Sequence, residues 1–348
     1  GASSDGIGVD MDLKAWQQVE IPIWSLGLDS PIEQIFFAGD LKGTFYLDDL
    51  RLDNDRKPAL HTNFQLRGEG EEIGLFDPDG VQMDAVEYES QASDVSFGRR
   101  LDGDSDWSFF ATPTPGAANS TEGLEDSSLN PPPDYSLPGG FYTGIRTVQL
   151  SAAPGAVIHY SLDGSIPTAA SSIYTAPLDV TSTSVIRARV FSDELLPSET
   201  ITHTYFIDEE STLPVVSVAT NPANLWDDTI GIYVDGTNGI ISDDSGLPKN
   251  SNQDWERPVS VEFFEPGGSL GFQLDAGGSI YGAFSRHFPQ KSLGINARGK
   301  YGTDEINYQI FPDARLDRFK SFILRNAGND WTTTMLDDEF MQTLVKGQ

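Results

Sequence analysis

Hydrophobic and polar positions alternate along most of this chain with the period of a strand, and turn residues divide the runs at short intervals. Trp16, Val19, Ile21 and Ile23 form a near-alternating run, and Ile32, Ile35 and Phe37 form another. Further on, 147–150, 157–168, 173–174, 177–178, 185–191 and 204–206 are apolar or alternating stretches at regular spacing. Residues two apart share one face of a strand, so this pattern predicts half-buried strands, and short strands divided by turn signals predict β-sandwiches. Val259, Val261 and Phe263 continue the alternation. Glycines at 277, 278 and 282 are expected to break the next extended run, after which Leu293, Ile295 and Ala297 alternate again. Near the end, 335–345 reads as a helix with Leu336, Phe340, Met341 and Leu344 on one face.

Length and charge narrow the picture. At 348 residues the chain suits two or three domains. Its 22 basic and 53 acidic residues leave a formal charge of −31. That disfavours nucleic acid and anionic membranes as partners and suits a well-solvated surface or divalent cations. Cysteine is absent, so neither disulfides nor thiolate metal sites are available. No apolar run approaches the ~20 residues of a membrane helix, so no membrane insertion is expected. The first residues lack the basic start and apolar middle of a signal peptide, and the chain is expected to begin inside a longer polypeptide. Residues 120–134 are rich in Ser, Glu, Asp and Pro, with Pro131, Pro132 and Pro133 at their centre, and read as a semi-rigid linker.

The modules on either side of that linker resemble known families. Phe45-Tyr46-Leu47-Asp48-Asp49-Leu50-Arg51-Leu52 is similar to the closing strand of jelly-roll carbohydrate-binding modules, making 1–53 the C-terminal part of such a module. The resemblance implies that Asp48 or Asp49 can serve a structural calcium; a strand end with solvated carboxylates explains them at least as well. His61-Thr62-Asn63-Phe64, Leu75-Phe76-Asp77, Ser96-Phe97-Gly98-Arg99, Trp107 and Thr114-Pro115-Gly116 make 54–119 resemble the second half of a lamin-tail domain, an immunoglobulin-like sandwich with about four strands present here. Two incomplete neighbours imply residues missing near 52–56. Asp102, Asp104 and Asp106 do not fit an EF-hand, because Trp107 and Pro113 stand where Gly and Glu are required; a solvated turn is the reading. Residues 135–208 look like a complete C-terminal β-sandwich of chitobiases and β-hexosaminidases, in which Asp163-Gly164 reads as a tight hairpin turn. That resemblance implies a spacer ahead of sugar binding, since no acidic pair is set up for glycoside cleavage.

The stretch 209–348 holds a basic island, Ser285-Arg286-His287-Phe288-Pro289-Gln290-Lys291-Ser292, in an acidic chain. With Leu213-Pro214-Val215-Val216-Ser217, a Gly231-Ile232-Tyr233 strand, Trp255-Glu256-Arg257-Pro258, Tyr301-Gly302, Tyr308 and Leu324-Arg325-Asn326-Ala327-Gly328-Asn329-Asp330, it resembles the N-terminal part of the CotH family, spore-coat-type atypical protein kinases. Two departures stand out. Tyr281-Gly282-Ala283-Phe284 replaces a more basic phosphate-side turn, and Asp337 stands where an Arg usually precedes the Asp. The resemblance implies ATP and magnesium as cofactors, with Lys291 on the phosphates, Arg286 assisting and Ser285 in the turn. Against this stands the reading that both cations only balance nearby carboxylates. Asn329-Asp330 reads as a metal-binding pair or as an Asx turn capping the next helix, and His287 as structural. The family's magnesium-binding and catalytic acids belong to its second half, beyond Gln348, so the catalytic residues are unknown.

The expected fold is mainly β and multidomain: tandem β-sandwich and jelly-roll modules followed by an α+β CotH-like N-terminal portion. The expected function is that of a bacterial extracellular or cell-surface structural or assembly protein, with other surface or matrix proteins as partners and divalent cations compatible with self-assembly. The alternatives are a secreted atypical protein kinase, or a polysaccharide-binding surface protein. Polysaccharide binding predicts solvent-facing aromatics in a row, for which Trp16 and Trp24 are the candidates.

Overall fold

The computed structural model describes residue 66 and residues 70–91, 95–119, 123–242, 246–312, 315–330 and 332–335. The jelly-roll reading of 1–53, with Trp16, Trp24, Asp48 and Asp49, lies outside the described residues. So does the helix read over 335–345, apart from Met335, whose φ of 61° is not helical.

The described chain is mainly β, as expected. The four strands of the 54–119 segment form two antiparallel hairpins, β1 (Glu71–Phe76) with β2 (Gln82–Tyr88), and β3 (Ser96–Arg99) with β4 (Trp107–Phe110). Phe97 is central to the second hairpin, 5.2 Å from Trp107 and 4.8 Å from Phe109, with the Arg99 guanidinium 5.0 Å from the Trp107 ring. The Asp102–Asp106 loop is a turn: Asp104 Oδ1 accepts the Ser105 N–H at 2.7 Å.

Next comes a sandwich. Its main sheet holds β10 (Ser172–Ile173), β9 (Val157–Ser161), β12 (Ser184–Phe191), β13 (Ile201–Ile207) and β6 (Gly140–Tyr142) in that order, with β6 parallel to β13. The pairs β5 (Asp134–Tyr135) with β8 (Leu150–Ser151) and β7 (Arg146–Val148) with β11 (Leu178–Val180) complete it. Alternation explains the core: Ile186, Ala188 and Val190 of β12 and Tyr205 and Ile207 of β13 are buried with Val148, Leu150, Ile158 and Val180. The Asp163-Gly164 turn is not a two-residue hairpin. It lies in the ten residues between β9 and β10, where Asp163 Oδ1 accepts the Ser165 N–H at 2.9 Å.

The third body is an antiparallel sheet ordered β14 (Val215–Ala219), β15 (Glu256–Phe264), β16 (Leu270–Tyr281), β17 (Ser292–Asn296) and β20 (Ser321–Leu324). Val259 and Val261 face a core with Ala276, Ile295, Ala297, Ile306 and Phe322, covered in part by the hairpin of β18 (Ile306–Asn307) and β19 (Arg318–Phe319). Two sequence readings need correction. β16 runs through Gly277 and Gly278 without a break, because their missing side chains make room across the ladder: a Cβ on Gly277 would lie 2.3 Å from Glu256 Cδ, and one on Gly278 would lie 2.8 Å from Val259 Cγ1. The Glu256 carboxyl held there meets Arg298 at 2.7 Å and Lys300 at 3.0 Å. Burial alone would raise its pKa, but those cations hold it below the usual carboxylate range. Gly231-Ile232-Tyr233 is not a strand; its N–H groups bond to carbonyls of Asp227, Asn224 and Leu225 around the short helix α1 (Pro222–Trp226).

The outer faces of β13 and β15 pack on each other. Phe141 stacks on Phe206 at 4.4 Å, and Phe264 of β15 meets both rings edge-on at 5.9 and 5.4 Å. Beside them Glu262, 1% exposed, accepts a hydrogen bond on Oε2 from Thr204 Oγ1 at 2.5 Å, and Thr204 Oγ1 lies 2.7 Å from Ser217 Oγ. His203 Nδ1 sits 3.6 Å from the other carboxyl oxygen. Gly139 admits this group, since a Cβ there would come within 2.8 Å of Glu262 Oε1. Arg187, buried on β12, donates to Thr202 Oγ1 at 3.0 Å and to the Gly164 carbonyl at 2.9 Å.

Burial raises the pKa of the Tyr135 and Tyr205 phenols, whose hydroxyls donate to the Ile201 and Leu137 carbonyls at 3.1 and 2.7 Å. The folded protein keeps these protons where the unfolded chain, with an ordinary phenol pKa of about 10, gives them up. Stability is therefore expected to be unaffected by these groups below about pH 10 and to fall as pH rises above it. In urea titrations from pH 9 to 11.5, Tyr135→Phe should reduce the alkaline slope by about 1.4 kcal/mol per pH unit; an unchanged slope would place the loss elsewhere.

Candidate functional site

The basic island lies between β16 and β17. Gly282, at the end of β16, has φ +109°, and a Cβ on it would sit 2.3 Å from Ser285 Oγ, so only glycine lets the chain double back here. Phe284–His287 then makes a single 3-10 turn. Arg286 points its guanidinium into backbone: Nε donates to the Gly282 carbonyl, and Nη1 to the Asn252 and Ser251 carbonyls at 3.0 and 3.4 Å, with Asp254 3.6 Å away.

Lys291 is 9% exposed. Its Nζ donates to the carbonyls of Arg286 at 2.7 Å and Phe288 at 3.0 Å and lies 5.5 Å over the Tyr233 ring. Its backbone N–H donates to the Tyr233 hydroxyl at 2.7 Å. Burial pushes the Lys291 pKa down, with Asp235 opposing. The two expected phosphate cations thus bind the loop that carries them. His287 makes an edge contact with Phe284, ring centroids 6.1 Å apart, and both its ring nitrogens are buried without a hydrogen-bond partner.

Beside the turn is a cleft of about 350 Å³, lined by Gly282 and Ser285, by Ser292 of β17, and by Ile323, Arg325 and Asn326 of β20 and its exit. Of the expected site residues only Ser285 lines it. Its floor is rigid: Asn326 Oδ1 accepts from Ser292 Oγ at 2.9 Å and from the Gly328 N–H at 3.0 Å, while Asn326 Nδ2 donates to the Gln290 carbonyl at 2.6 Å. The cation of this cleft is Arg325, which sequence reasoning did not single out, although it stands in the Leu324–Asp330 element that carries the resemblance. The Ser292 hydroxyl and the Asn326 amide are engaged with each other in the floor, so the polar side chains on the walls are a guanidinium and the Ser285 hydroxyl, groups that suit a small polar or anionic ligand.

Asp330 lies one turn further on. Its carboxylate accepts from the Thr333 hydroxyl, from the Thr334 N–H at 3.2 Å and from the Thr334 hydroxyl at 2.7 Å, the geometry of a capped turn. Among the described residues no three His, Cys, Asp or Glu side chains gather as a metal site.

A family model, the Chitobiase/beta-hexosaminidase C-terminal domain, matches residues 137–202. This segment runs from the entry of β6 into β13, so the sandwich is similar to that module and falls within the 135–208 expected. None of the curated proteins compared with the chain matches it.

Ala327, between the cleft floor and Asp330, has φ +64°, a conformation that costs an L-residue about 1–2 kcal/mol. Ala327→Gly should therefore raise stability by about 0.5–1 kcal/mol, the relief being partly offset by the greater freedom of glycine when unfolded. Equilibrium denaturation checks it; a loss of stability would mean that the methyl contact outweighs the strain.

Proposed function

We propose that this chain is an extracellular or cell-surface structural protein in which the sandwich and the sheet that follows act together as one stiff arm, spacing or organising neighbouring modules. The observation that carries this reading is the joint between β13 and β15. Two modules joined by a mobile linker would turn polar faces to each other across water. These two instead share an aromatic triad and a buried carboxyl with its hydroxyl partner. The sandwich's similarity to a carbohydrate-related module fits a surface setting.

The Asp163-Gly164 turn is the most direct probe. Gly164 has φ +88°, and a Cβ on it would lie 2.5 Å from the Thr220 carbonyl oxygen, across the joint. Gly164→Ala should destabilise by about 2–4 kcal/mol through backbone strain and overpacking. In hydrogen exchange on the full chain, amides of β15–β17 should lose protection by the same factor as those of β12 and β13. Loss confined to the sandwich would mean two independent bodies and would sink the stiff-arm reading.

A second reading, a CotH-like nucleotide-binding domain, is favoured by the cleft beside Ser285 with Arg325 on its wall. Calorimetric titration of the full chain with ATP and magnesium separates the two. The structural account expects no heat, since Lys291 and Arg286 are engaged with carbonyls; micromolar binding lost in Arg325→Ala would replace it with the nucleotide reading.

A further inference from the structure

The sheet of the third body ends at β20, and among the described residues no strand pairs with the outer side of that strand. The register shows which backbone groups face out there. The Ala297 N–H donates to the Lys320 carbonyl at 2.9 Å, and further along the same ladder Ile295 opposes Phe322 and Leu293 opposes Leu324. Antiparallel strands exchange bonds at every second residue, so Lys320, Phe322 and Leu324 bond inward to β17. Ser321 and Ile323, between them, each turn an N–H and a C=O outward. Both residues are exposed, Ile323 by 39%. An open row of backbone donors and acceptors is a template for a further strand.

Two features define the strand that fits. Side chains alternate across a ladder, so Phe322 and Leu324 face the apolar core, with Leu324 only half-buried at its rim. Ile323 and Arg325 stand on the opposite face and line the cleft with Ser285. An added strand therefore meets an apolar rim on one face and a guanidinium on the other. The second feature is charge. Residues 315–325 hold Arg315, Arg318, Lys320 and Arg325 against the single acid Asp317, in a chain whose formal charge is −31, and all four cations are exposed. We propose that β20 is a docking edge for an extended acidic segment of a separate protein, which adds to the sheet with apolar side chains on the core rim and carboxylates toward Arg325. Main-chain bonds to Ser321 and Ile323 supply affinity, alternation sets the register, and the basic stretch selects the sign of the partner's charge. This goes beyond the stiff-arm reading, since a spacer needs no recruited strand.

The test uses the full chain and fluorescein-labelled octapeptides that alternate valine with glutamate or valine with lysine, read by fluorescence anisotropy. Expected is saturable binding of the glutamate peptide, about tenfold or more tighter than that of the lysine peptide. A glutamate peptide N-methylated on every backbone nitrogen keeps its charge but cannot donate, and should lose binding. The double variant Arg318→Glu, Lys320→Glu should bind the glutamate peptide about tenfold or more weakly, with an unchanged melting temperature because both side chains are exposed. In hydrogen exchange the amides of Ser321 and Ile323 should gain protection when the peptide is bound. Absence of binding by the glutamate peptide overturns the proposal, and so does equal binding of the lysine or the N-methylated peptide. Undiminished binding by the double variant, or protection gained only away from β20, places the peptide elsewhere and overturns it too. Sedimentation of the chain alone as a dimer that the double variant dissolves would assign the edge to a second copy instead.

Discussion

The face that β13 shares with β15 fixes the relation between the two larger β bodies, and it is built from two kinds of contact with different consequences. Phe141, Phe206 and Phe264 bury ring surface and supply a non-directional drive to associate. Such rings alone would tolerate sliding. Glu262 does not, because a carboxyl taken out of water costs several kcal/mol unless its partners are in place. Thr204 Oγ1 satisfies one oxygen, and the site has that partner only when β13 and β15 lie in this register. Buried polar groups add little net stability, but a wrong arrangement leaves them unpaired. The joint therefore draws its strength from the phenylalanines and its angle from Glu262 and Thr204.

The same reasoning explains the basic island. A cation that reaches for phosphate must stay solvated or be held by acids until the ligand arrives. Lys291 instead sits among carbonyl oxygens of its own loop, with its ordinary proton affinity reduced by burial. Arg286 is anchored the same way to three carbonyls. Carbonyl partners, helped by Asp254 beside Arg286 and Asp235 near Lys291, offset part of the cost of burying these cations, and the 282–291 loop is pinned at both ends. The neighbouring Gly282 and Ser292 then shape a cleft whose cation is Arg325, outside the island.

How much of this could be read in the sequence follows from what each signal encodes. Alternation at 185–191 and 259–263 located β12 and β15, because one face of each strand lies on an apolar core. Gly277 and Gly278 misled, since a glycine that ends a strand and one that admits a side chain from the next strand look alike until Glu256 and Val259 are placed. Glu262 was invisible: a glutamate between valine and phenylalanine in an alternating strand reads as the wet face, and only a second sheet makes that face dry. Charge counting picked Lys291 and Arg286 but could not tell whether their donors turn outward or back onto the loop. Solvent-facing aromatics were sought at Trp16 and Trp24, which lie outside the described residues, whereas exposed rings among the described residues include Trp226 of α1 and Phe284 of a 3-10 turn, where no strand period announces them.

These points meet in Lys291. Placed under Tyr233 and against the Phe288 carbonyl, its ammonium links the helix side of the surface to the 282–291 loop, which a shorter or neutral side chain would leave separate. Cation–π contact strengthens as water is withdrawn, so the low exposure of Lys291 favours both this contact and its carbonyl bonds. The residue that resembles a nucleotide ligand therefore serves to tie the 282–291 loop to Tyr233.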